Sequence, residues 1–213
     1  MQQPYHIQEF TFGGQALQLY VPDETFIREK YELDRKAGLQ PLFPYWAKIW
    51  PAAIALCHYI RSHPELVKNK VVVELAAGLG LPSLLAATFA KKVISSDHAE
   101  EALPFIRGSA GLNRISNLET QLIDWQHYPS NLHADMVLLS DINYDPAQFE
   151  ILNQLLLSLL NKGTVIVLCT PQRITGKPFI EGLLPYCKTK QTGYVETGRE
   201  KAEMFIMQLE KRI

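Results

Sequence analysis

The stretch that decides the fold runs from Lys70 to Pro82, KVVVELAAGLGLP. Val71, Val72 and Val73 make an uninterrupted β-branched run, the pattern of a buried strand, and Glu74 closes it. Small residues follow at Ala76, Ala77, Gly78 and Gly80, and Pro82 stands where the first turn of a helix accepts proline. Glycines let the backbone come close to a ligand, and a helix N-terminus points N–H groups at it. A strand that breaks into such a turn and then a helix is a cradle for a nucleotide-like ligand, although an αβ domain also uses glycine turns for packing alone.

Outward from this point the chain alternates strand and helix. KKVISSD, LETQLID, ADMVLLSD and GTVIVLCT read as further strands, separated by helical patterns over 98–115, 146–160 and, beyond the last, 174–187. The tail, KTKQTGYVET then KAEMFIMQLE, alternates in strand fashion with no helix between. Upstream, residues 5–21 read as a hairpin around Gly13-Gly14, and 23–37 as a surface helix capped by Asp23. An aromatic, proline-rich passage, LQPLFPYWAKIWPAA, then enters an apolar helix ending near His58–Ser62.

Repeated strand–helix units predict an α/β fold: a Rossmann-like seven-stranded, mostly parallel sheet with helices on both faces. The two closing strands predict an antiparallel hairpin at one edge. Residues 1–40 are expected as an N-terminal hairpin and helix extension packed on the core, and 41–213 as the main domain.

Composition narrows the function. Hydrophobic residues at 47% are enough for a full core and too many for disorder. A net charge of -1 gives no general pull toward nucleic acid or an anionic membrane. Cys57, Cys169 and Cys187 lie far apart with no CxxC, which argues against a zinc site or disulfide framework. No metal is expected. The N-terminus lacks the basic and apolar regions of a signal peptide, and no uncharged apolar run is long enough to span a bilayer. A cytoplasmic protein is the expectation.

Four strands close on a carboxylate: Glu74, Asp97, Asp124 and Asp141. Any one of them is explained by capping. Together they line the carboxyl edge of a parallel sheet, where ligands of such folds bind. Asp97 lies 23 positions after Glu74 (97 − 74), close to the spacing at which a carboxylate holds a ribose hydroxyl pair. That spacing suits a dinucleotide or S-adenosylmethionine equally. The acid at Glu74 would repel a pyrophosphate and suit a cationic ligand.

ELAAGLGLPS, with PYWAKIWPAAIAL upstream and IDWQ and ADMVLLSDINYDP downstream, resembles the class I, seven-β-strand methyltransferases. More narrowly it is similar to the methyltransferase-like protein-lysine methyltransferases, the group that includes the enzyme for the electron-transfer flavoprotein β-subunit. Asp141-Ile-Asn-Tyr144 matches the acid-x-x-aromatic signature of that group. Ala76 is the departure, standing where the family turn has its first glycine.

The resemblance implies S-adenosyl-L-methionine as cofactor. Glu74 and the turn at Ala76, Gly78 and Gly80 would receive its methionine part, the carboxylate holding the ammonium. Asp97 would take the ribose hydroxyls, with His98 beside the adenine. Asp124 would accept from the adenine amino group, with Trp125 packed beside the ring. Trp50 would face the cofactor, and Ser140 would adjoin it. Asp141 and Tyr144 would be catalytic, orienting and enclosing the acceptor amine. The expected reaction is methyl transfer to a lysine side chain of a protein substrate, and nucleic acid is a disfavoured partner. The alternatives are a methyltransferase for a small molecule or a nucleic-acid base, and a non-catalytic nucleoside-binding module.

Overall fold

The computed structural model describes residues 4–197 and 200–211. The central strands are those whose sequence is apolar on both faces. They are β3 (Val71–Leu75), β6 (Met136–Ser140) and β7 (Val165–Pro171), flanked by β4 (Lys92–Asp97) and β5 (Leu118–Leu122). The order across the seven-stranded sheet is β5-β4-β3-β6-β7-β9-β8. The first five of these run parallel, with Val73 opposite Ile94 on one side and Val137 on the other. LETQL, half polar, forms β5 at the rim.

Alternate residues feed two cores. Val72, Val93, Met136, Leu138 and Val167 pack on one face with α2 (Pro51–Ser62) and α3 (Leu81–Ala87). Val73, Ile94, Val137, Leu139 and Ile166 pack on the other with α5 (Phe149–Asn161) and α6 (Lys177–Leu183). This two-sided burial is why the strands read as continuous apolar runs. α4 (Ala102–Leu112) passes Pro104 without breaking, because Pro104 is its third residue and an N–H there has no intrahelical acceptor.

The N-terminal hairpin, β1 (Tyr5–Phe12) and β2 (Gln15–Pro22), forms its own two-stranded sheet. Its inner face (Phe12, Leu17, Leu19, Val21) belongs to the first core. Asn113, which caps the end of α4, binds the Gln18 backbone twice, accepting at 2.9 Å and donating at 2.7 Å. Helix α1 (Glu24–Lys36) starts on Asp23, whose carboxylate accepts from the Phe26 N–H.

The closing hairpin has an inverted order. β9 (Glu200–Leu209), not β8 (Cys187–Thr197), pairs with β7, so the last strand lies inside the earlier one. The winding therefore reverses between β3 and β6: β4 and β5 build outward on one side, and β6 returns to the other. The segments that follow β3 and β6 line a cavity there. Among the described residues no helix is long and apolar enough to cross a membrane.

Candidate active site

The turn after β3 is held in unusual backbone geometry. Ala76, Gly78 and Gly80 all have positive φ, at 51°, 56° and 72°. A Cβ at Gly78 would stand 3.1 Å from the Trp46 carbonyl oxygen, and one at Gly80 would meet Ile106 at 3.0 Å. These two glycines are thus required by packing as well as by any ligand. Ala76 carries the strain without the glycine that would relieve it.

A cavity opens over this turn. Its floor is Ala76 to Leu81, one wall is Asp97 and His98, and the opposite wall is Tyr45, Lys48 and Trp50. Ser140, Asp141 and Tyr144 close the third side, with Arg173 beside them. A second pocket adjoins it through Tyr45, His98 and Tyr144 and is lined by Asp124 and Trp125.

Asp97 is buried, and each oxygen already accepts one backbone N–H: Gly78 at 2.8 Å and Ala99 at 2.9 Å. A carboxylate has room for about four acceptor contacts, so Asp97, which lines the cavity, retains acceptor capacity for a diol. Asp124 caps the turn at Trp125 by accepting from the Gln126 N–H at 3.0 Å, and its side chain is 45% exposed. Trp125 is anchored by its indole N–H to Gln148, and His98 stands 6.3 Å from its ring. These groups fit a nucleoside: a diol acceptor beside two flat rings and a second carboxylate.

Glu74 is not among the residues that line the cavity. It is fully buried and turned away from the cavity, accepting from the N–H and hydroxyl of Ser83 in the first turn of α3. Burial pushes its carboxyl up to about 8, with the Ser83 contacts lowering it and Asp97 raising it. Its other oxygen, Oε1, is buried and has no hydrogen-bond partner among the described residues. Its role is to cap α3 from inside the core.

Asp141 sits in the left-handed region, φ 56°, with its N–H bonded to the Cys169 carbonyl at 2.9 Å. Both its oxygens are taken by Arg173, one through Nη1 and the other through Nη2 at 2.9 Å. Arg173 follows β7, the strand in register with β6, and nothing in the chain's local pattern marks its pairing with Asp141. Tyr144 packs on Tyr45 with ring centroids 5.1 Å apart. Burial holds its phenol above the ordinary tyrosine value, with the nearby Asp97, Tyr45 and acids adding to this, so it remains an O–H donor. Tyr45 in turn accepts the indole N–H of Trp50 on its carbonyl at 2.9 Å.

Comparison with known proteins agrees with this geometry. Histone-arginine methyltransferase METTL23 of Homo sapiens is 29% identical over 143 residues, 64% of this chain and 75% of that protein. The electron transfer flavoprotein beta subunit lysine methyltransferase of Danio rerio is 30% identical over 132 residues, 61% of this chain and 51% of that protein. The match thus spans about half to three quarters of these relatives' lengths. In fold alone the chain is similar to the N-methyltransferase NodS from Bradyrhizobium japonicum WM9, solved with S-adenosyl-l-homocysteine. The TM-score is 0.57 at 13% identity, over 73% of this chain and 88% of that one. Residues 45–184 match the model of a family described as lysine methyltransferase, and with about two thirds of its length inside that match the chain belongs to this family.

Proposed function

We propose that the protein is an S-adenosylmethionine-dependent methyltransferase acting on a lysine side chain of a protein. The observation that carries this is one continuous cavity joining the glycine turn and Asp97 to Asp141 and Tyr144. Asp97 would hold the ribose, the backbone of Ala76–Gly80 the methionine part, and His98, Asp124 and Trp125 the adenine. The bound cofactor supplies an electrophilic methyl on a sulfonium.

The chain's own residues prepare the acceptor. An attacking lysine must be neutral, whereas a free one has a pKa near ~10.4. Tyr45, Trp50 and Tyr144 form an aromatic wall that desolvates the amine and disfavours its charged form. A bare carboxylate at Asp141 would do the opposite by stabilising the ammonium. Arg173 balances that charge and leaves Asp141 fixed in position. Tyr144 borders the acceptor's approach, and positioning of this kind supplies much of the acceleration of a displacement.

A second reading keeps the cofactor and makes the acceptor an arginine guanidinium, on the ground that the relative METTL23 is named a histone-arginine methyltransferase. A protein partner is common to both. Three free cysteines support a cytoplasmic setting.

Calorimetry with S-adenosylmethionine tests the cofactor: Asp97→Ala should weaken binding by about tenfold to a hundredfold, the value of hydrogen bonds to a charged group. No binding by the wild type would end the proposal. Incubating a cell extract with radiolabelled methyl donor, with and without enzyme, tests the acceptor. A labelled protein band whose label maps to lysine supports the first reading, and label on arginine the second. Label confined to RNA or small molecules defeats both. Asp141→Ala should abolish labelling while largely sparing cofactor affinity.

A further inference from the structure

Lys48 is the one lysine among the described residues that lines the cavity. It lies in extended backbone between the short turn Tyr45–Ala47 and the start of α2, and its side chain is exposed. Its Nζ stands 5.2 Å from the centre of the Trp50 ring. Cation–ring pairs are common on protein surfaces, and four others occur among the described residues, so the contact alone says little. Three further observations set Lys48 apart.

First, the other four pairs lie away from the cavity, and Lys48 shares it with Asp97, Asp141 and Tyr144. Second, no carboxylate is in ion-pair reach of Lys48 among the described residues, so nothing fixes it as a structural charge. Third, its ring partner is immobile, because Trp50 is tied to the Tyr45 carbonyl and Tyr45 packs on Tyr144. A lysine amine on this ring, lining the same cavity as Asp141, Tyr144 and Arg173, stands where the proposed acceptor would enter.

We infer that Lys48 is a self-methylation site of this enzyme, modified within its own molecule. The inference rests on the lysine-methyltransferase reading of the site. The Nζ amine first loses a proton to water. Its lone pair then forms the N–C bond as the methyl–sulfur bond of the bound donor breaks, the sulfur keeping that electron pair as a thioether. Tethering favours the step, since a group held at a site reacts as if present at effective concentrations of up to about 10⁵ M when well oriented, far above any free protein. Methylation keeps the positive charge and enlarges the apolar surface of the cation, so the product stays on Trp50 and narrows the opening to outside acceptors.

The test is the intact mass of the full chain with peptide mapping, as isolated and after incubation with S-adenosylmethionine. Calorimetry with S-adenosylhomocysteine is run on the same preparation. The expected result is one or more added methylene masses on Lys48, with a half-time independent of enzyme concentration, and loss of the added mass in Lys48→Arg. A separate readout needs no turnover. Saturating S-adenosylhomocysteine should slow acylation of Lys48 by an N-hydroxysuccinimide ester several-fold and leave the exposed Lys162 unchanged. Homocysteine-cofactor binding with Lys48 unmodified, or methyl mass on a different lysine, overturns the inference and leaves the enzyme reading standing. A half-time that shortens as enzyme concentration rises overturns the intramolecular step. No cofactor binding takes down both.

Discussion

At the scale of the residue, Ala76 is where sequence and backbone disagree most. It departs from the family glycine, and its φ of 51° is a conformation that costs a side-chain-bearing residue about 1–2 kcal/mol. Glycine there would remove that cost and add about 0.4–1 kcal/mol of unfolded-chain entropy. Ala76→Gly should therefore stabilise the protein by about 1 kcal/mol, raising the melting temperature by about 2–4 °C. A melting temperature that falls would mean that contacts of the Ala76 methyl outweigh the strain. Asp97, Ser140 and Asp141 were legible because they stand at or just past the ends of β4 and β6, and strand ends share one edge. Arg173 was not: its partner lies 32 positions earlier, and only the register of β6 on β7 brings the two together. The contact of Glu74 was not legible either, because the direction of a side chain near a strand's end is set by the pleat, and here one oxygen meets Ser83 of α3.

At the scale of the element, the junction of β3 and α3 holds a titrating group. The folded chain keeps Glu74 protonated up to about 8, whereas its ordinary value is 4.5. The folded state thus binds the extra proton across this window. Stability from this group is complete below about 4.5 and is lost as pH rises toward about 8, at about 1.4 kcal/mol per pH unit for one proton. Glu74→Gln is neutral at every pH and should flatten that decline, so that it exceeds the wild type on the alkaline side. Urea midpoints measured across the window check this. Parallel decline of both proteins would assign the titration to another group. The element types themselves were readable from periodicity. The inverted order of β8 and β9 was not, because two alternating strands joined by a turn carry no mark of which one meets β7.

At the scale of the whole molecule, the N-terminal hairpin behaves as a wall of the first core and not as an appendage. Phe12 is 1% exposed and packs with α2 residues, and Arg61 of α2 donates to the Phe12 carbonyl at 3.3 Å. Phe12→Ala should cost about 3–5 kcal/mol, the range for a buried phenylalanine. The loss should fall on a single unfolding transition seen alike by circular dichroism and fluorescence. A separate early transition, or a loss under about 1 kcal/mol, would show a hairpin that unfolds alone. The chain has three tryptophans, and all of them stand at the site. Trp46 and Trp50 line the cavity and Trp125 the adjoining pocket. The tryptophan emission of the protein, excited selectively, therefore arises entirely from the walls of the cleft, with no distant indole to dilute it. A purine stacking there acts directly on the emitting rings, and the unmodified chain is its own optical gauge of what enters.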